Sequence, residues 1–418
     1  MSTVERLQCL SCASTYAILE ARIDCDCGGL LSVERDPGFA RAIDVRTFDA
    51  RMGSRADVDR SGVWRFREGV LAVPETSIVT HPEGGTRLYE RPALSRWAGV
   101  ARVSFKHEGE NPTGSFKDRG MTVAVTQAVR LGATAVACAS TGNTSASLAA
   151  YAAQAGLKAL VFIPAGKVAL GKLSQTLAYG ATCLQVRGDF DAAMRLVQEA
   201  SKSLGIYLLN SINPFRIEGQ KTIVWELLQD LGWDPPDWIV VPAGNLGNTS
   251  AFGKALREAH EGGWIPRVPR LLAVQAAGAN PFFRGYREGF AQRHRMTPET
   301  VATAIRIGNP VSWDRARAAI DATRGVVTEV SDAELLEAKA AIDGAGIGCE
   351  PASAVTLAGL RRMRGEGVIR EDERVACVLT GHVLKDADVI LAQKDRIAAR
   401  LIEIDPTLAA VEAALERP

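Results

Sequence analysis

The stretch Asn111-Pro112-Thr113-Gly114-Ser115-Phe116-Lys117-Asp118-Arg119-Gly120 is a turn-rich loop that delivers one lysine to the start of a helix. A lysine at a helix N-terminus gains nothing from the macrodipole as a cation, so its neutral amine is favoured. A neutral amine condenses with an aldehyde. Alone, Lys117 would read as a solvated first-turn residue, but two later segments favour the chemical reading.

The segment Pro242-Ala243-Gly244-Asn245-Leu246-Gly247-Asn248-Thr249-Ser250 follows the apolar run Trp238 to Val241 and leads into a helical pattern from Ala251 to His260. In this strand, glycine loop and helix, Gly244 and Gly247 are expected to let the backbone turn its amides toward one point. The helix adds its own unpaired amides, which suits a phosphate monoester. The segment lacks the lysine of a triphosphate-binding loop. Ala139-Ser140-Thr141-Gly142-Asn143-Thr144-Ser145 lies between the apolar run Ala135 to Cys138 and a helix from Ala146 to Gln154. Its hydroxyls and amide exceed what one cap needs, and read as a cup for a carboxylate or phosphate. Gly344-Ala345-Gly346-Ile347-Gly348 fails the dinucleotide fingerprint, since Cys349 stands at the third glycine's place, and reads as a loop before a helix.

One activated lysine and two anion cups at strand ends describe a pyridoxal 5'-phosphate enzyme with Lys117 as the Schiff-base lysine. NPTGSFKDRG, STGNTSAS, PAGNLGN, EPASA (Glu350 to Ala354) and TGHVLKD (Thr380 to Asp386) occur in the order and approximate spacing of the threonine synthase family. That family has the tryptophan synthase β-like, fold type II architecture. The resemblance runs from about Leu7 to the C-terminal helical pattern.

The resemblance implies roles residue by residue. Lys117 resembles the catalytic lysine, Asn143 the contact to the cofactor's phenolic oxygen, and Gly244, Asn245, Leu246, Gly247 and Asn248 the cofactor phosphate loop. Thr380 is similar to the hydroxyl residue that faces the pyridine nitrogen, and a neutral hydroxyl implies a ring nitrogen that is not fully protonated. Ser211 and Arg216, in Asn210 to Arg216, resemble ligands of a substrate phosphate, with guanidinium the natural clamp. Thr144 would share that phosphate, and Ser140, Thr141 and Asn143 would hold the substrate carboxylate.

The implied activity, the last step of threonine biosynthesis, is a lyase reaction turning O-phospho-L-homoserine and water into L-threonine and phosphate by γ-elimination and β-addition. Released phosphate held by Arg216 is a candidate base for the water. Rival readings are a β-replacement enzyme such as a cysteate synthase acting on O-phosphoserine, a serine or threonine dehydratase, and a regulatory protein binding the cofactor or a metal.

The 418 residues are 47% hydrophobic, enough for two or three domains with real cores, and the net charge of +1 predicts neither nucleic-acid nor membrane binding. Met1 to Arg6 is polar, and a cytoplasmic location is expected. Cys9 and Cys12 form a CxxC pair and Cys25 and Cys27 a CxC pair. Four clustered thiols suggest a structural zinc knuckle, although the one-residue spacing should strain its loop; a metal-free turn with packed thiols is the alternative.

Short apolar runs such as Thr182 to Val186 and Arg374 to Leu379, alternating with alanine-rich amphipathic stretches such as Ala333 to Ile342, for which Ser331 and Asp332 are helix-cap candidates, predict an α/β protein with open, mostly parallel sheets. Family resemblance divides it into a cysteine-rich element over 1–35, a large cofactor domain from 36–110 and 205–418, and a small mobile domain over 111–204 that carries Lys117. It also favours a homodimer. The cofactor would lie between the domains, outside the carboxyl ends of the strands.

Overall fold

A computed structural model describes residues 5–166, 170–392 and 401–415. The domain bounds expected from sequence also take in 1–4, 167–169, 393–400 and 416–418, which lie outside the described residues, as does most of the polar N-terminal stretch. No described helix is long and apolar enough to cross a membrane.

The N-terminal strands β1 (Glu5–Cys9), β2 (Thr15–Ala17) and β3 (Leu31–Arg35) form an antiparallel sheet in the order β2-β1-β3. Its alternating buried residues Leu7, Cys9, Leu31 and Val33 join the main hydrophobic core, so the element is packed onto the body of the protein. Arg35 at its end pairs with buried Glu218 at 2.8 Å.

The following strands are β4 (Leu88–Glu90), β5 (Arg102–His107), β6 (Ala135–Ala139), β7 (Lys158–Pro164), β8 (Thr182–Val186), β9 (Tyr207–Leu208), β10 (Trp238–Pro242), β11 (Arg270–Ala276), β12 (Val326–Val330) and β13 (Arg374–Leu379). A six-stranded sheet has the order β12-β11-β10-β13-β5-β4, parallel except for the edge pair β4/β5. A four-stranded sheet, β8-β7-β6-β9, is parallel throughout. The expected mixed α/β architecture is therefore present. The smaller sheet takes in Tyr207–Leu208, past the bound at 204 drawn for the smaller unit, because β9 pairs with β6.

Central strands are buried on both faces, and their residues alternate between two cores. Trp238 and Val240 face one apolar cluster, and Ile239 and Val241 the other; Val375 and Cys377 alternate with Ala376 and Val378 in the same way. That period of two inside continuous apolar runs is what a parallel sheet covered by helices on both sides requires. The loops carrying the candidate site residues leave the carboxyl ends of β5, β6, β9, β10 and β13, so the fold gathers them at one edge of the two sheets.

Candidate active site

Lys117 opens the helix Lys117–Arg130. The loop before it is fixed by Asp118, which accepts from the Thr113 amide at 2.7 Å and the Thr113 hydroxyl at 2.6 Å. Gly114 takes φ +81 there, a left-handed turn that side-chain-bearing residues rarely adopt. Two residues on, fully buried Arg119 anchors the first turn by ion pairs to Glu108 at 2.6 Å and Glu226 at 2.8 Å. The lysine is thus aimed by neighbours on both sides.

Desolvation brings the Lys117 ammonium down to about 7, with the Arg216 cation adding to the fall and Glu350 opposing it. Burial, rather than the helix dipole expected from the sequence, is the main cause. The Nζ atom lies 4.0 Å from the centre of the Phe116 ring.

Arg216 lies on the helix Pro214–Gln220, which crosses the lysine helix at unusually close range. A Cβ on Gly219 would stand 1.7 Å from the Arg119 carbonyl oxygen, and one on Gly120 would stand 3.0 Å from the Arg216 carbonyl oxygen. These two glycines let backbone meet backbone and bring Arg216 beside Lys117. The guanidinium is 1% exposed and donates Nη1 to the Leu209 carbonyl at 3.1 Å, while its Nε has no partner. No ion pair joins it to a carboxylate among the described residues, and burial lowers it to about 10. A buried cation with an unused donor is costly unless an anion visits it.

The loop after β10 holds the helix Gly247–Glu261. Its left-handed residue is Leu246, φ 65, rather than either glycine. Gly244 is needed for a different reason from the expected one: a Cβ would lie 2.9 Å from the Ile305 Cα. The Asn245 side chain accepts from the Val311 amide at 2.7 Å, which leaves mainly its backbone for a ligand. The amides of Gly247, Asn248 and Thr249 fall in the first helical turn, which cannot pair them within the helix. The buried Thr249 hydroxyl and the Asn248 Oδ1 lack partners. The donor set and the orphaned hydroxyl fit a phosphate group.

Asn143 opens the helix Asn143–Gln154 and donates Nδ2 to Glu350 at 2.9 Å. Ser140 turns its hydroxyl back to the Gly142 amide at 3.3 Å, while Thr141 stays half-buried and Thr144 is buried beside it. Asn210 locks the end of β9 to that of β6 by paired bonds with the Ala139 backbone, 2.9 and 3.1 Å, so half-buried Ser211 follows directly. Thr380 donates to Glu350 at 2.9 Å, and the Thr380 carbonyl accepts from the Phe116 amide at 3.0 Å. Lys117, Arg216, Asn143 and Thr380 are therefore linked through contact or electrostatics.

Sequence reasoning quoted EPASA without giving Glu350 a role. The structure puts this carboxyl between Asn143 and Thr380 and within electrostatic reach of Lys117; burial pushes it up from the usual range, and the two hydrogen bonds hold it down. Trp64, Arg65 and Phe66 are packing residues: Trp64 donates to Thr122 at 2.7 Å and Arg65 pairs with Glu226 at 2.7 Å.

A family model described as pyridoxal-phosphate dependent enzyme matches residues 79–381. The threonine synthase of Methanocaldococcus jannaschii is 46% identical over 390 residues, 92% of this chain and 94% of that protein. That of Methanosarcina acetivorans is 46% identical over 388 residues, 92% and 93% of the two chains. The chain belongs to the threonine synthases of the pyridoxal-phosphate dependent enzyme family. The solved threonine synthase of Escherichia coli is similar at TM-score 0.69 and 18% identity, over 97% of this chain and 94% of that one, a likeness of fold.

The four N-terminal cysteines lie apart from these residues, on the three-stranded sheet. Their sulfurs all fall within 4.8 Å of one another, with Cys9 to Cys27 and Cys12 to Cys25 both 3.5 Å. A tetrahedral site with Zn–S bonds of about 2.3 Å requires sulfur separations of about 3.8 Å. The CxC spacing does not keep the thiols apart, since Gly28 turns at φ +78 and the Cys25 amide bonds the Gly29 carbonyl at 3.0 Å.

Proposed function

We infer that the chain converts O-phospho-L-homoserine and water into L-threonine and phosphate. The observation that carries this reading is the crossing of two helices that sets an amine with a pKa of about 7 beside a buried guanidinium with no carboxylate partner among the described residues. A nucleophile and an anion clamp on neighbouring turns suit a phosphorylated amino acid.

Pyridoxal 5'-phosphate, when bound, supplies an electron sink for charge developing at the substrate's α and β carbons. The amides of Gly247 to Thr249 and the Thr249 hydroxyl would hold its phosphate, while Asn143 and Thr380 would address its ring edges. Lys117, whose ammonium burial brings down to about 7 so that the free amine is well populated near neutral pH, would take the proton from the α carbon. Arg216, with Thr144 and Ser211, would grip the substrate phosphate and keep it oriented as it leaves. Ser140, Thr141 and Asn143 would hold the carboxylate. The separate cysteine cluster would hold one structural zinc, its four thiols leaving no open position for substrate.

The test is incubation of the protein with O-phospho-L-homoserine, following phosphate and L-threonine together beside a Lys117→Ala control. Equal release of both, abolished in the control, supports the reading. Release of phosphate with 2-oxobutanoate and no threonine would leave a phosphate-eliminating lyase that does not add water at the β carbon, and turnover of L-threonine or L-serine instead would move the assignment to a dehydratase.

A further inference from the structure

β3 is an edge strand of the cysteine-bearing sheet, and three helices around the candidate site are tied to it. The helix Pro214–Gln220, which carries Arg216, offers Glu218, whose Oε2 accepts from Arg35 Nη1 at 2.8 Å. The helix Gly247–Glu261, whose first turn holds the amides that fit a phosphate, offers Lys254. This lysine donates to the Val33 carbonyl and to Glu218 Oε1, the latter at 2.5 Å. The helix Trp313–Ala322 follows Val311 and Ser312, whose amides bond Asn245, and sends Arg315 to the Leu31 carbonyl.

The two helices that carry the anion sites are also laced to each other. Lys221, directly after the first, bonds Glu218 and also Glu258 on the second, both at 2.7 Å, and Glu218 returns the tie through Lys254. Among the described residues Arg35 is the only ion-pair partner of Glu218 that comes from another part of the fold. Arg35 is held in turn by Glu5 on β1, at 3.0 Å, and by the Val70 carbonyl, which accepts from Nη2 at 2.5 Å. The Arg35 and Glu218 side chains are 1% and 0% exposed. A buried ion pair contributes little net stability beside an apolar pair of the same volume, yet separating its charges is costly, so it resists displacement.

We propose that Arg35 is a positioning residue for both anion sites. Through Glu218, two residues from Arg216, it holds the Arg216 helix and the helix that opens at Gly247 against the cysteine-bearing sheet, so loosening β3 weakens phosphate binding at each. This rests on the reading of Arg216 and the Gly247 turn as phosphate sites. The coupling is reciprocal: if β3 improves phosphate affinity, bound phosphate stabilises β3.

The experiment is hydrogen exchange on the holoenzyme with inorganic phosphate as the probe. Saturating phosphate is expected to slow exchange at β1 and β3 more than at β12, the far edge of the six-stranded sheet, and Arg35→Met is expected to lose that difference. In the same variant the KM for O-phospho-L-homoserine and the dissociation constant of pyridoxal 5'-phosphate should each rise about 10-fold, the lower end of the loss of one charge-assisted hydrogen bond, with kcat changed less. Glu5→Gln is the control: it takes the other carboxylate from Arg35 and lowers stability but keeps the Glu218 pair, so both constants should stay near wild type. A merely structural Arg35 would give both variants one pattern, a lower urea midpoint with unmoved constants, and that result overturns the proposal. So does phosphate protection in the wild-type protein that β12 shares equally, a measurement that decides the matter even if Arg35→Met does not fold. A failure of the underlying reading would look different: a wild-type protein with no Lys117-dependent cofactor binding.

Discussion

Replacing Gly219 with alanine tests the claim that a helix crossing builds the site. The new Cβ would stand 1.7 Å from the Arg119 carbonyl oxygen and 2.9 Å from the Gly120 Cα. Comfortable heavy-atom contacts begin near 3.5 Å, so the crossing must open by about 1 to 2 Å. Overpacking of this kind costs roughly 1–3 kcal/mol of stability. The functional cost is larger in proportion, because Lys117 begins one of these helices and Arg216 sits on the other. Displacing reacting groups by about 1 Å costs about 100-fold in rate. The expected outcome is a folded, less stable protein whose kcat/KM for O-phospho-L-homoserine falls about 100-fold. Steady-state phosphate release with a parallel urea melt measures both. Gly53→Ala, at a position with nothing within 4 Å of the added Cβ, is the control and should stay within about 0.5 kcal/mol of wild type. Activity within threefold of wild type in Gly219→Ala would refute the crossing as the device that sets Lys117 against Arg216.

The Lys117 amine, brought down to about 7, is charged and inert below that pH and free above it, so capture of pyridoxal 5'-phosphate by the apoprotein should speed up from pH 6 to pH 8 and then level off. A rate still climbing steeply from pH 9 to pH 10 would show an ordinary lysine. Arg216→Lys exchanges a paired donor for a point charge and should raise the KM for the phosphorylated substrate about 10- to 100-fold, the worth of a charge-assisted hydrogen bond of about 1.5–3 kcal/mol; it should also shift partition toward 2-oxobutanoate, and an unchanged ratio would count against a role for held phosphate in water addition. Metal analysis of the purified protein should find about one zinc per chain, lost in Cys25→Ser along with thermal stability, while a metal-free wild-type protein would favour packed thiols. Because the Arg216 cation helps depress Lys117, saturating inorganic phosphate should move the midpoint of cofactor capture upward from 7, and a midpoint that stays put would separate the two groups.

The fold was legible where the chain obeys a period. Runs such as Thr182 to Val186 and Arg374 to Leu379 became strands with those bounds, and Ser331 caps its helix in a capping box with Glu334. The site was legible where motif and helix start coincide, at Lys117, Asn143 and the loop before Gly247. What remained hidden depends on distant partners. Asn245 is spent on Val311, Gly244 answers to Ile305, and Glu350 acquires its partners only when residues 143, 350 and 380 meet. No local pattern carries that information, because each partner lies more than 25 positions away along the chain.

The two cations at the crossing also explain each other. Desolvation raises the energy of the buried Lys117 ammonium and the nearby Arg216 guanidinium adds to it, so the fold itself lowers the cost of the free amine. When a phosphate dianion reaches Arg216 the repulsion is cancelled and the amine becomes more basic. The strengthening comes once the substrate is seated, when a base is wanted at its α carbon. Arg216 would thus report occupancy to Lys117 through charge alone, with no movement of either helix. Among the described residues no carboxylate pairs with Arg216, and on the proposed reading that has a chemical purpose: a permanent counter-ion would occupy the guanidinium and leave Lys117 protonated before substrate arrived.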